Sequence, residues 1–113
     1  MRPELKIVLI EQGDSFGGNH IWSYFASDIL PEHRWLTAPL VTYGWSGYEV
    51  RFPAHSRSLD NIYYTIESER LDWVLRNSLP ASAREVGREV KAVSPRLVVP
   101  DRAPRLHPRG LLA

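Results

Sequence analysis

The chain has 113 residues, of which 43% are hydrophobic and 24% charged, so its length and composition fit one globular domain or less. A net charge of +1 argues against a nucleic-acid-binding protein, and the absence of cysteine excludes disulfides, thiolate metal sites and cysteine nucleophiles. The four histidines show no metal-binding spacing, and no apolar run is long enough to span a bilayer. We therefore expect a cytoplasmic protein without a metal site, with contact to the membrane surface left open.

The first predicted element is a strand over residues 5–10, an almost continuous aliphatic and β-branched run. Such a run is typical of a strand buried on both faces in the parallel sheet of an α/β protein. Residues 13–24 are rich in glycine and aromatic side chains and are predicted to form a loop. The adjacent Gly17 and Gly18 would allow that loop to adopt positive φ angles and approach another group closely.

The middle of the chain predicts a short helix followed by a small sheet. Pro31 favours a helix start, and the helix should run through Leu36 and stop before Pro39. Residues 40–66 have the pattern of short strands and turns, with apolar residues alternating over 48–52 and again over 62–66. We expect these strands to form a smaller mixed or antiparallel sheet.

The last third predicts one well-defined helix, with Ser68 as its N-cap and Pro80 beyond its end. Four apolar side chains then share one helical face, at positions 71, 74, 75 and 79. Short strands are predicted around 86–93 and 97–99. The proline- and arginine-rich end of the chain, above all residues 100–113, is predicted to be disordered.

Glu11 is the first candidate for a functional role, because it closes the predicted parallel strand. In dinucleotide-binding folds an acidic residue at this place accepts hydrogen bonds from the ribose hydroxyls of the adenosine half. The phosphate-binding G-x-G-x-x-G loop should lie ~20 residues earlier. Only ten residues precede Glu11 and none is glycine, so either the chain starts after that loop or Glu11 is simply a solvated strand end.

Two longer motifs are more specific than Glu11 alone. The first is EQGDSFGGNHIWS over residues 11–23, and the second comprises GYEVRFP over 47–53 and YYTIESERL over 63–71. In these motifs, and in Trp35-Leu36 and Trp45, the chain resembles the bacterial lycopene β-cyclases over about residues 3–99. The resemblance therefore covers most of the chain.

This resemblance implies a peripheral membrane flavoprotein of carotenoid biosynthesis that binds FAD and uses NAD(P)H to keep it reduced. Such enzymes convert the ψ-ends of lycopene into β-ionone rings by protonation, closure through a carbocation and loss of a proton. The implied fold is an FAD-binding, Rossmann-like α/β domain of the hydroxylase type, with part of a mixed β-sheet substrate domain. Residues 1–25 would belong to the FAD domain, 26–67 to the substrate domain, and 68–99 would return to the FAD domain.

Residue by residue, the resemblance implies two groups of site residues. The candidate cofactor-binding residues are Glu11 for the ribose, Gly17 and Gly18 beside the flavin, Arg70 toward the pyrophosphate, and Val90 beside the adenine. A solvated surface position for Arg70 and core packing for Val90 are the alternatives. His20 is the candidate acid or base, although it could instead shape the loop through a hydrogen bond.

Aromatic residues are the candidates for binding the apolar polyene, because aromatic faces attract cations and pack against apolar chains. The residues concerned are Trp22, Trp45 and Tyr64, with Tyr24 beside them. The alternative for all of them is an ordinary place in the core.

Two departures from the family pattern lead us to expect an incomplete chain that is inactive by itself. The phosphate loop and the downstream acidic motif associated with protonation are missing, and residues 100–113 lack the expected glycine turn and strand. We therefore hypothesise a coding sequence truncated at its start and frame-shifted or broken near position 100. Two other functions stay open: a non-catalytic small binding protein or remnant, and a fragment of another FAD-dependent oxidoreductase.

Overall fold

The computed structural model describes residues 4–100. In chain order the strands and helices are β1 (Leu9–Ile10), β2 (Ile21–Phe25), α1 (Arg34–Thr37), β3 (Tyr43–Trp45), β4 (Tyr48–Phe52), β5 (His55–Leu59), β6 (Tyr63–Glu67), α2 (Ser68–Ser78), β7 (Arg84–Glu85), β8 (Val90–Ser94) and β9 (Leu97–Pro100). Short 3₁₀ turns span Ala26–Asp28, Pro31–His33, Ala38–Leu40 and Ala81–Ala83. The described chain is therefore a mixed α/β structure that divides into two units, one of residues 19–74 and one of the segments on either side.

The first unit contains residues 4–18 and 75–100 and is built on one parallel strand pair and one hairpin. β1 pairs in parallel with β7, so that Leu9 lies opposite Arg84 and Ile10 opposite Glu85. β8 and β9 pair antiparallel, with an irregularity between positions 90 and 92. Phe16, which is only 2% exposed, is the buried hydrophobic residue of this unit among the described residues.

The second unit, residues 19–74, is built on an antiparallel sheet in the order β2-β6-β3, beside the β4-β5 hairpin. β6 is the central strand, and its β-branched Thr65 and Ile66 are buried between the two neighbours. Buried polar groups find partners here: Ser23 Oγ lies 3.1 Å from Thr65 Oγ1, and Thr42 Oγ1 accepts the backbone N–H of Glu67. The sheet therefore buries polar side chains without leaving them unsatisfied.

Most large apolar side chains of this chain stay at the surface. Among the described residues, Phe16 and Ile66 are the buried hydrophobics, whereas all four tryptophans are exposed. The alternative that the aromatic residues form an ordinary core is therefore wrong for Trp22 and Trp45. None of the helices in the described part of the chain has the length and apolar character needed to cross a membrane.

The predicted strand over residues 5–10 is only partly correct. Its parallel pairing is confirmed, but the strand covers Leu9–Ile10 alone, and Ile7 and Val8 are exposed rather than buried on both faces. The reason is the partner, because β7 is two residues long and pairs with the last two residues of the run. The predicted strand at 86–93 is likewise displaced, since β7 ends at Glu85 and β8 starts at Val90.

The prediction that residues 13–24 form one loop is wrong for residues 21–24. They belong to β2, because their β-branched and aromatic side chains find a five-residue antiparallel partner in β6. The strands over 48–52 and 97–99 and the antiparallel sheet are confirmed, and the segment predicted over 62–66 forms β6 one residue later, at Tyr63–Glu67. Pro100 ends β9 and so is not disordered, while the rest of the predicted disordered tail, residues 101–113, lies outside the described residues.

The two predicted helices are present with small changes at their ends. The first runs as a 3₁₀ turn and then α1 to Thr37, and Pro39 lies in a further 3₁₀ turn over Ala38–Leu40. Helical turns thus continue past the predicted stop, because proline is tolerated in the first turn of a new helical segment. α2 begins at Ser68 itself and ends at Ser78, two residues before Pro80.

Gly47→Ala tests a close approach in the second unit. A Cβ atom at position 47 would lie 2.8 Å from the Leu59 carbonyl oxygen, closer than real Cβ atoms come to such an atom. We expect the free energy of unfolding to fall by about 1–3 kcal/mol, because the backbone of β5 would have to move. Urea unfolding measures this loss. The control is Gly13→Ala, whose Cβ would meet its nearest atom at 3.5 Å and should leave stability nearly unchanged; equal losses would contradict the prediction.

Candidate functional site

Glu11 lies directly after β1, at the carboxyl end of the parallel strand pair. Its backbone N–H donates to the Glu85 carbonyl at 2.8 Å, and its own carbonyl accepts the N–H of Arg88 at 3.1 Å. The carboxylate Oε1 accepts the N–H of Gly13 at 2.8 Å, which leaves Oε2 without a protein donor among the described residues. The structure therefore holds the carboxylate in a fixed place with one oxygen available to a ligand.

The loop after Glu11 is anchored by Phe16 and shaped by glycine. The Phe16 ring is buried, and the Arg76 guanidinium lies 5.6 Å from its centre while donating to the Asp14 carbonyl at 2.9 Å. Gly17 and Gly18 have φ angles of 86° and 61°, in the left-handed region where a side chain would be strained. The prediction that Gly17 and Gly18 adopt positive φ angles is thus confirmed.

Val90 and Arg70, the other two cofactor candidates, lie in different units. Val90 begins β8 opposite Pro100 and is 38% exposed, so it is not the core residue that the alternative required. Arg70 lies in α2, where its Nε donates to the Pro39 carbonyl at 2.8 Å and its guanidinium lies 4.9 Å from the centre of the Trp73 ring. Arg70 is therefore engaged within the second unit rather than solvated as a free surface arginine.

His20 immediately precedes β2 in the second unit. Its side chain is exposed, and its ring centre lies 5.8 Å from that of Trp22. Its carbonyl accepts the N–H of Ser68 at 3.1 Å and so joins the start of β2 to the start of α2. The hydrogen bond that shapes this part of the chain is thus made by the backbone carbonyl of His20 and not by its side chain. The His20 imidazole is exposed and accessible to a proton donor or acceptor.

The predicted polyene-binding aromatics lie on two opposite faces of the sheet. Trp22 is opposite Ile66 and Tyr24 is opposite Tyr64, so Trp22, Tyr24 and Tyr64 share one face. Trp45 is opposite Tyr63, the neighbour of Tyr64, and therefore lies on the other face. The structure brings Tyr24 and Tyr64 together, with ring centres 5.4 Å apart, and separates Trp45 from both.

A cavity of about 220 Å³ lies beside the paired tyrosines in the second unit. Its lining includes Tyr24 and Tyr64 from the sheet, Ala26 and Ile29 after β2, and Arg34 and Ala38 from the helical turns. Sequence reasoning missed all of these residues except the tyrosines. The signal that could have found part of the lining is the alternation of Ile62 with Tyr64, which places both on the same side of the chain.

No group of three or more acidic or histidine side chains in residues 4–100 is arranged to hold a metal ion. The candidate chemistry of the described part therefore rests on the Glu11 carboxylate and its glycine loop in one unit. In the other unit it rests on His20 and the aromatic cavity.

Comparison with known proteins gives one family. The family described as lycopene cyclase protein matches residues 1–100. The chain is 49% identical to the lycopene β-cyclase of Pseudescherichia vulneris over 78 residues, which are 68% of this chain and 20% of that protein. It is 42% identical to the enzyme of Pantoea ananas over 76 residues and 32% identical to that of a Paracoccus strain over 77 residues. The chain spans about a fifth of the length of these relatives, and no solved structure matches it significantly.

Proposed function

Because this chain belongs to the lycopene cyclase family, we propose that it forms part of an FAD-dependent lycopene β-cyclase. The observation that carries the proposal is the family match over residues 1–100, together with 49% identity to one lycopene β-cyclase. The matched part of the chain spans 20% of that relative. Cyclase activity is therefore proposed for a whole enzyme that contains such a chain, and not for the chain alone.

The proposed fold is an FAD-binding, Rossmann-like domain of the hydroxylase type with a segment of the substrate domain. A parallel strand that ends in an acidic residue supports the FAD-binding assignment of residues 1–25 and 68–99. An antiparallel sheet with a cavity supports the substrate-domain assignment of residues 26–67. β2 (Ile21–Phe25) departs from these bounds, because it pairs with β6 along its whole length and belongs to the same unit as the antiparallel sheet.

The residues around β1 fit the adenosine end of FAD. The Glu11 carboxylate has one oxygen bonded to Gly13 and the other available, which suits vicinal ribose hydroxyls as donors. The positive φ angles of Gly17 and Gly18 support a close approach of the loop to the cofactor. Arg70 would meet the pyrophosphate and the backbone of Val90 would meet the adenine.

The proposed chemistry is an isomerisation. A proton adds to the terminal double bond of a lycopene ψ-end, a ring carbon–carbon bond forms through a carbocation, and loss of a proton restores a double bond, so atoms and electrons balance. His20 is the proposed acid or base, since its imidazole is exposed beside Trp22. Trp22 and Tyr64 would contact the polyene from one sheet face and Trp45 from the other. When bound, reduced FAD would stabilise positive charge or supply the proton, and NAD(P)H would keep it reduced.

We place this protein in the cytoplasm at the membrane surface, where an apolar polyene would be available. The exposed tryptophans and aliphatic side chains support such a peripheral contact.

A second candidate function is a small binding protein without catalysis. The same exposed aromatic side chains favour it, because they offer an apolar surface whether or not flavin is bound. It differs from the first proposal in requiring no FAD. The third possibility, a different FAD-dependent oxidoreductase, has the family match over residues 1–100 against it.

FAD titration of the purified chain tests the proposed function first. Binding of one yellow FAD per chain, seen as quenching or a shift of the flavin signal, would support the proposed function and would show that the cofactor site forms without the G-x-G-x-x-G loop. A chain that binds a lycopene analogue but no FAD would favour the non-catalytic binding protein. A chain that binds FAD would then be supplied with reduced cofactor and lycopene, and the carotenoid products analysed for β-ionone rings.

Glu11→Gln should weaken FAD binding by about tenfold or more, because hydrogen bonds to a charged acceptor are stronger than those to a neutral one. The glutamine Oε1 can still accept the Gly13 N–H, so the loop keeps its shape while the charge is lost. The affinity for FAD, measured by titration, checks this. Glu49→Gln is the control, since Glu49 forms an exposed ion pair with Arg51 in the β4-β5 hairpin. Equal affinities of the Glu11 and Glu49 variants would remove the ribose-binding role.

A further inference from the structure

The walls of the cavity beside Tyr24 and Tyr64, here called the tyrosine cavity, are mostly apolar, and part of their backbone is hydrogen-bonded within the sheet. The rings of Tyr24 and Tyr64 are 5.4 Å apart on one sheet face. The N–H of Ala26 donates to the Ile62 carbonyl at 2.8 Å, which uses the backbone groups of two lining residues. The small side chains of Ala26 and Ala38 leave the space open. The binding of a ligand would therefore be stabilised mainly by burial of apolar surface against these walls.

The size of the tyrosine cavity limits what it can hold. At about 220 Å³ it is larger than a cavity of about 150 Å³, which accommodates benzene. Scaling the six carbons of benzene by that ratio gives roughly nine carbons. A β-ionone ring with its methyl groups has about that many carbons, whereas an entire lycopene molecule is several times larger and would extend out of the cavity.

The charge around the tyrosine cavity restricts the ligand further. Arg34 is the charged residue among those that line the cavity in the described part of the chain. Its backbone carbonyl accepts the Thr37 hydroxyl at 3.3 Å. Among the described residues no acidic side chain forms an ion pair with its guanidinium group. A positive charge nearby opposes the arrival of a second one. The Arg34 charge therefore favours a neutral ligand over a cationic one in this cavity, by the modest amount expected of an exposed charge.

From these three observations we propose that the tyrosine cavity is a binding site for the neutral end group of the polyene, before protonation or after ring closure. The proposal rests on the proposed cyclase function and adds to it a separate binding place for the end group of the substrate. The end group occupies the cavity while neutral, and the polyene chain extends beyond it. Because the carbocation forms on the end group itself, protonation and ring closure take place while the end group is outside the cavity. Tyr24 and Tyr64 then act as packing surfaces for a neutral ring, and Arg34 selects against the charged form.

The test uses the full chain and two isomeric probes, β-ionone with a closed ring and pseudoionone with an open end. We expect both to perturb the NMR signals of Tyr24, Tyr64 and the alanines of the cavity, with saturable binding. Ala38→Leu should weaken both probes by about tenfold or more, because added carbons occupy the space that the end group needs. Ala54→Leu, at the exposed turn between β4 and β5, is the matched control and should leave both affinities unchanged.

A second measurement tests the charge argument without filling the cavity. The neutral probe 3-tert-butylphenol should bind more tightly than 3-hydroxyphenyltrimethylammonium, a cation of nearly the same shape. Arg34→Gln should reduce that preference by roughly threefold, as expected for an exposed charge. Because Arg34 is exposed, this variant also covers the case in which Ala38→Leu does not fold.

The outcomes separate this proposal from the proposed function. The neutral-end-group site would be overturned if β-ionone and pseudoionone bound outside the cavity, or if Ala38→Leu left their affinities unchanged. It would also be overturned if 3-tert-butylphenol bound less tightly than 3-hydroxyphenyltrimethylammonium. FAD binding with no probe binding would overturn the cavity proposal alone. Probe binding at the cavity with no FAD binding would support the cavity and count against the flavin-dependent function.

Discussion

Phe16→Ala is expected to lower the free energy of unfolding by about 3–5 kcal/mol, the usual cost of removing a buried phenylalanine ring. Phe16 is 2% exposed and is the buried hydrophobic residue of the first unit in the described part of the chain. The Arg76 guanidinium packs over its ring, and the same arginine binds the Asp14 carbonyl. Loss of the ring would therefore leave a cavity under the loop that follows Glu11.

Urea unfolding with tryptophan fluorescence and circular dichroism measures this loss, provided that the variant still shows a cooperative transition. Phe52→Ala is the matched control, because Phe52 is 65% exposed at the end of β4 and should change stability by less than about 1 kcal/mol. Comparable losses in the two variants would show that Phe16 does not anchor the first unit. The Phe16 variant should also weaken FAD binding if the loop holds the cofactor.

Ile66→Ala is expected to cost about 2–4 kcal/mol, because it removes the buried hydrophobic side chain of the central strand β6. Ile66 lies opposite Trp22 and on the same face as Tyr24 and Tyr64. Alanine would leave unfilled volume on the face that carries the tyrosine cavity. The tyrosine rings should consequently become more mobile, which broadened NMR signals would detect.

The control for Ile66 is Ile21→Ala, the same substitution at a position of β2 that is 68% exposed. This change should cost less than about 1 kcal/mol, since little apolar surface returns to water. If Ile21→Ala destabilised the chain as much as Ile66→Ala, the burial of the central strand would not be what stabilises the sheet. Denaturant midpoints at matched slopes make the comparison direct.

The positions of the exposed tryptophans restrict how a polyene could contact this chain. All four tryptophans lie at the surface, and the Trp22 and Trp45 side chains occupy opposite faces of one sheet. If both contact lycopene, as proposed, one arrangement is that a single polyene passes around an edge of this sheet. The other is that the two tryptophans contact lycopene at different stages of the reaction. Separate Trp22→Ala and Trp45→Ala variants would distinguish these two arrangements in a lycopene-binding assay.

Local patterns determined a large part of this protein. The GGNH and YYTIESERL segments were enough to identify the family, which the comparisons confirm. The alternation over residues 48–52 and 62–66 predicted β4 and β6, and the apolar spacing after Ser68 predicted α2. These predictions succeeded because the period of a strand or helix depends only on neighbouring residues of the same segment.

The tertiary structure decided what depends on pairing between distant segments. Residues 5–8 have a strand-like sequence but lack a partner of sufficient length, whereas residues 21–25 become β2 because β6 pairs with them. The face on which Trp22 or Trp45 lies follows from strand register, and a shift of one residue would reverse it. The tyrosine cavity likewise forms only when the sheet meets the helical turns around Arg34 and Ala38. Sequence periodicity carries no information about such contacts, since they join residues that are far apart along the chain.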